Sequence, residues 1–99
     1  MSDYPKLPRT VMGAAGPITV VHQAKVTYRG EECWGLWDDA TRTITICSGA
    51  TLSHQWRILF HEETHAALSD SGVDCVLGVK TVELICVAMS TARTRERFG

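Results

Sequence analysis

No stretch of this 99-residue chain reaches the roughly 18–20 consecutive apolar residues that a membrane span needs. The opening MSDYPKLPRT is polar, carries two prolines and lacks the pattern of a signal peptide. Neither sign of charge prevails. Ten Lys+Arg against eleven Asp+Glu leave no overall positive field to draw nucleic acid, and the basic run Arg93, Arg95, Arg97 is short and interrupted by Glu96. The four cysteines, Cys33, Cys47, Cys75 and Cys86, form no CxxC pair and no zinc-ribbon spacing. Set in apolar segments such as ITICS and ELICVAM, they read as buried, reduced thiols, which predicts a cytoplasmic protein. Repeats and low-complexity tracts are also missing, leaving one ordinary globular domain over residues 1–99.

Pro5 and Pro8 deny regular structure to residues 1–10, which predicts a mobile arm. Residues 10–28 are rich in β-branched side chains and broken by Gly13, Gly16 and Pro17, the pattern of two strands around a turn. Arg29-Gly30-Glu31-Glu32 reads as a turn, Cys33 to Trp37 as a third strand, and Arg42 to Cys47 as a fourth. In that last segment Thr43 and Thr45 alternate with Ile44 and Ile46, as in a half-buried strand. After Gly49 the period changes. A helix capped by Thr51 or Ser53 runs to Leu68, stopped by Ser69-Asp70-Ser71-Gly72. Its apolar residues lie almost all round, so it is central. A linker through Gly78 leads to a second helix over roughly 79–95. Strands first and helices last predict an α+β fold, a small twisted antiparallel sheet of three to four strands packed on two helices.

The central helix carries His61-Glu62-Glu63-Thr64-His65, an H-E-x-x-H pattern. Histidines four apart are neighbours on one helix face and can reach a single ion at about 2.0–2.1 Å. Glu62 lies about 100° round the helix, which places its carboxylate beside the ion, where it can exchange a proton with an activated water. The motif falls in an apolar stretch, where ionisable groups are costly unless paired or metal-bound.

Zinc catalysis requires a third protein ligand and an open position. A third histidine fails, because Leu68 and Ser71 stand where HxxGxxH needs Gly and His. Asp70 is a second candidate, though Ser-Asp-Ser-Gly reads equally as helix-stop chemistry. Glu83 is the third and preferred one, the only charged residue in TVELICVAM. A carboxylate buried there needs a cation, and an antiparallel helix would return it to the metal; the plainer alternative is an exposed or ion-paired helix residue.

With these residues in place the sequence resembles the gluzincin metallopeptidases, which pair HExxH on one helix with a ligand Glu on the next. The stretch from Gly35-Leu36-Trp37-Asp38 through Arg42–Ile46 to Ile58–Ala66 looks like the core of ImmA/IrrE-type peptidases and the minigluzincins, a resemblance covering roughly residues 33–90. It implies peptide-bond hydrolysis with one catalytic Zn2+. His61, His65 and Glu83 would be the ligands and Glu62 the catalytic residue, with a protein or peptide substrate lying along an edge strand. Two features depart from that pattern. Val87 stands where larger gluzincins often have an Asp, and there is no C-terminal subdomain to form the far wall of the cleft. The groove would then be shallow, or completed by a homodimer partner or the N-terminal arm. Residues 93–99 could cover the zinc in a latent state, or form a frayed helix end.

His54, Tyr28 and His22 are the candidates for stabilising an oxyanion. Glu63 is expected to be a hydrogen-bonded support or to reach solvent. Trp34, Trp37 and Trp56 read as core fillers, and Thr43, Thr45 and Cys47 would flank the cleft if their strand is the edge. Two other readings remain: a catalytically silent, zinc-stabilised protein-binding module closed by a fourth ligand such as Asp70, and a nucleic-acid-associated factor of a mobile element that uses the basic C-terminus.

Overall fold

The computed structural model describes residues 4–99. Its elements run β1 (Thr10–Gly13), β2 (Gly16–Gln23), β3 (Val26–Tyr28), β4 (Glu31–Cys33), β5 (Gly35–Asp38), β6 (Thr43–Cys47), α1 (Leu52–Asp70), a 3-10 turn (Val73–Cys75) and α2 (Val79–Phe98). A four-stranded sheet in the order β1-β2-β6-β5 packs on α1, and β3-β4 form a separate hairpin. This is the expected α+β fold, with four differences in the strands. Residues 10–28 hold three strands instead of two, and the stretch Cys33 to Trp37 read as one strand is split between β4 and β5 in different sheets. The other two concern Glu31-Glu32 and the strand directions. Glu31 and Glu32 belong to a strand, because Arg29 and Gly30 alone make the turn; both have positive φ, the two-residue geometry that matches strand twist. The sheet is mixed, not wholly antiparallel, since β2 and β6 run parallel, from Thr19 opposite Thr43 to Gln23 opposite Cys47. The β3-β4 hairpin and β5 intervene between them, a connection long enough to bring the chain back in the same direction.

Alternation along β2 and β6 puts Ile18, Val20, Ile44 and Ile46 on one face, where they pack against Trp56, Ile58, Leu59 and Phe60 of α1. The Thr51 hydroxyl accepts from the His54 N–H at 3.3 Å and so caps α1. At the other end Ser71 N–H returns to Ala67 O at 3.1 Å, and Gly72 takes the left-handed conformation that reverses the chain. Helix α2 then packs on α1 through Val82, Cys86, Ser90 and Thr94, a four-residue spacing that lines one helix face. Three of these four are small or short, which lets the helices approach closely. The Ser90 and Thr94 hydroxyls donate to Val87 O and Ser90 O within α2. No helix among the described residues is long and apolar enough to cross a membrane.

The arm expected to be mobile is docked from Tyr4 onward. The Trp56 indole N–H donates to Pro5 O at 2.7 Å, the Tyr4 and Phe98 ring centroids lie 4.5 Å apart, and Leu7 packs against the core. Prolines exclude helix and sheet but leave this extended segment free to lie over the apolar end of α2. Residues 1–3 lie outside the described residues. The end of α2 serves as the other half of this contact, so residues 93–99 neither fray nor cover the histidines; the helix continues to Phe98.

Arg42 joins the sheet to the end of α1. Its guanidinium donates to Asp70 Oδ1 at 2.8 Å and Oδ2 at 3.0 Å, and also to the Gly16 carbonyl. The Ala15 N–H completes the set on Asp70 Oδ2. The guanidinium, with help from the Ala15 N–H, holds the Asp70 carboxyl below its ordinary range. A carboxyl lowered on folding stabilises the protein above its unfolded pKa of about 3.9, and that stability is lost as pH falls through the folded value. Asp70→Asn is therefore expected to lower the thermal midpoint by several degrees near neutral pH and to flatten its further fall in acid. Circular dichroism melts across the acid range test this; a variant that melts like the parent at every pH contradicts it.

Candidate metal centre

The four-residue spacing of His61 and His65 sets their rings side by side, with centroids 5.1 Å apart. Both face α2. From that helix the Glu83 carboxylate spans the pair, Oε1 lying 2.6 Å from His61 Nε2 and Oε2 3.2 Å from His65 Nε2. The three side chains preferred from the sequence as metal ligands thus converge. Two imidazole nitrogens and a carboxylate are a donor set suited to zinc, and one acid holding both Nε2 atoms at once brings the donors to a common point. Burial lowers the His65 pKa, with Glu83 opposing that shift. A neutral imidazole keeps the lone pair that coordination needs.

Glu62 points elsewhere, as its position on the wheel predicts. It is 8 % exposed and lies near the backbone N–H of Trp37 on β5. Burial, with the nearby Glu83 charge adding to it, pushes its pKa up to about 8 against the opposing pull of that N–H. With His61 and Glu83 it lines a cleft of about 370 Å³. A cation at the histidines would favour its ionised form.

The edge strand facing this cleft is β5. Strand β6 is central, between β2 and β5, so Thr43, Thr45 and Cys47 do not flank the cleft as an edge. Cys47 N–H bonds to Trp34 O, and antiparallel alternation then turns the N–H and C=O groups of Gly35 and Trp37 away from β6, toward the open edge. The Trp37 N–H lies near Glu62 and the Gly35 N–H near the Cys33 thiol. Glu62 therefore sits beside the open edge of the sheet.

The structure separates the remaining candidates. His54 lines the cleft and packs at a steep tilt against Trp34 with centroids 4.8 Å apart. His22 is bonded to Gln55 at 3.0 Å and lines a different depression, beside Val20 and Leu52, while Tyr28 is exposed on β3. Of the three oxyanion candidates, only His54 borders the site. Asp70 is clamped by Arg42 and serves neither as third nor as fourth ligand. Glu63 is the expected support. Arg93 approaches it at 3.4 Å and covers the Phe60 ring at 4.2 Å. Trp34 is exposed and belongs to the cleft wall, whereas Trp56 is core.

Three participants escaped the sequence. Arg57 reaches the cleft one turn before His61, legible only as an i, i+4 neighbour. Of the four cysteines read as buried thiols, Cys47 and Cys86 are buried, but Cys33 is half-buried and Cys75 exposed; the Cys86 sulfur lies within 4.8 Å of a ring nitrogen of each histidine. Burial, with Glu83 and Glu62 adding to it, pushes its thiol up to about 12. Gly35 is the third. A Cβ there would collide with Ile58 and stand 3.4 Å from Glu62 Cγ, so only glycine lets β5 lie this close to α1. Gly35→Ala is expected to cost about 1–3 kcal/mol, the usual range for overpacking, and to pull Trp37 away from Glu62. Denaturant unfolding checks this, and a fully stable variant contradicts it. No protein-family model, no curated protein and no solved structure matches this chain.

Proposed function

We propose that the chain is a zinc-dependent metallopeptidase of gluzincin type. His61, His65 and Glu83 hold the ion, and Glu62 moves the proton. The observation that carries this reading is the Glu83 carboxylate meeting both histidine Nε2 atoms from a different helix. A surface Glu with no such task would gain little by spanning two imidazoles. Zinc, when bound, supplies a Lewis acid for a peptide carbonyl and lowers the pKa of a water.

The protein's own groups supply the rest. Glu62 takes a proton from the attacking water and delivers it to the leaving nitrogen, its carboxylate lying near the Trp37 N–H of β5. His54, fixed against Trp34, is placed to donate to the carbonyl oxygen as it gains charge. The open edge of β5 suits an extended peptide added by strand pairing, with a protein or peptide as substrate. Four free cysteines suit a reducing compartment such as the cytoplasm.

A zinc-stabilised binding module is the second reading. It is favoured by the exposed apolar side chains Val79, Leu84, Val87 and Met89 on α2, which offer a surface for another protein.

Glu62→Gln separates the two. It keeps the shape of the side chain, but it cannot carry the proton. Cleavage of a peptide library by zinc-loaded protein is expected to fall on the order of 10²–10⁴-fold in the variant, with zinc content unchanged. Because the parent buries a carboxylate there, the metal-free variant should melt at the same temperature as the parent or higher. Equal cleavage by both proteins contradicts the mechanism, and absence of cleavage by either supports the binding module.

A further inference from the structure

Glu83 and Cys86 lie three residues apart on α2, so both face α1 within one turn. Glu83 enters from the solvent side, its side chain 52 % exposed, while Cys86 lies beneath it and is 0 % exposed. The Cys86 sulfur and one ring nitrogen from each of His61 and His65 all lie within 4.8 Å of one another. Cys86 forms no disulfide, and among the described residues no hydrogen bond reaches its thiol. An apolar filler of the same volume would close the helix interface equally well. Nothing in the packing calls for sulfur directed at two imidazoles.

Donor atoms held tetrahedrally on one zinc at about 2.0–2.3 Å stand roughly 3.3–3.6 Å apart. For the Cys86 sulfur and the two ring nitrogens, closing from within 4.8 Å to that separation is a move of about an ångström, of the size side-chain rotation supplies. The four donors come from both sides of the α1–α2 seam: two nitrogens from α1, and a carboxylate and a thiolate from α2.

We propose that Cys86 is a fourth ligand of this centre, whose thiolate closes the coordination position that His61, His65 and Glu83 leave open. The inference rests on the metal reading above and adds its regulation. With Cys86 bound, the resting centre is closed to substrate, and it opens when the thiolate withdraws. On binding, the thiol gives its proton to solvent or to the Glu62 carboxylate, and the ligand it displaces returns to solvent. A thiolate ligand also selects zinc or cobalt over magnesium, calcium or manganese.

Cobalt(II) added to the metal-free full chain reads this directly, because a coordinating thiolate gives an intense near-ultraviolet charge-transfer band while visible ligand-field bands report the site as a whole. The parent should bind one equivalent of cobalt and show both. Cys86→Ser should keep the cobalt and the visible bands, lose the ultraviolet band, and cleave peptides several-fold faster when loaded with zinc. The double variant Cys33→Ser, Cys75→Ser should keep the ultraviolet band, which tests the assignment without altering the helix seam even if Cys86→Ser folds poorly. Cobalt bound by the parent without the charge-transfer band overturns this inference and leaves the metal reading intact. A band lost in the double variant assigns it to another thiol and also overturns the inference. Failure to bind cobalt at all overturns the metal reading itself.

Discussion

The seam between α1 and α2 is the constraint on which the rest depends. A helix turn can supply two histidines at i and i+4, but it cannot supply the acid that meets them. That acid comes from α2, and it arrives because Val82, Cys86, Ser90 and Thr94 form a narrow face that lets α2 settle against α1. One end of the seam is fixed by Arg93 on Glu63 and Phe60, and the same end by Phe98 against Tyr4 and Trp56. Glu83 near the other end is thereby carried to within hydrogen-bonding distance of both imidazoles. A 3-10 turn and the left-handed Gly72 make the reversal possible.

The sheet contributes position as well as core. Arg42 holds the end of α1 against the β1-β2 turn through Asp70, Gly16 and Ala15, and Gly35 lets the edge strand β5 lie on α1 beside Glu62. Two residues outside the histidine–acid cluster thus set how closely the edge strand lies to the buried Glu62 carboxylate. The buried carboxylate of Glu62 is a cost to stability, of the kind that functional sites retain at the expense of the fold.

The parts of this arrangement that were legible in the sequence are those encoded locally. HExxH in an apolar helix placed His61, Glu62 and His65, and a single charge in TVELICVAM singled out Glu83, although on the wrong premise, since that run buries only Val82 and Cys86 and Glu83 is half-exposed. Alternation in RTITIC identified β6, and the Ser-Asp-Ser-Gly stop located the end of α1 within two residues of Asp70. What stayed hidden was encoded between distant segments. The parallel pairing of β2 with β6 depends on where the chain returns, which no local period records. The docking of Tyr4 and Pro5 depends on Phe98 and Trp56, some fifty or more residues away. Asp70 reads as polar turn chemistry until Arg42 is seen beside it. Cys86 looks like any buried thiol until the helices are packed and its sulfur meets the histidines.

The central claim is that side chains from two helices form one metal centre, and calorimetric titration of zinc into chelator-stripped protein tests it most directly. The account predicts one tight equivalent, weakened in both His61→Ala and Glu83→Ala by at least the roughly 10–100-fold that even supporting residues of metal sites are worth. No saturable binding, or a Glu83→Ala variant that binds zinc as the parent does, would contradict it.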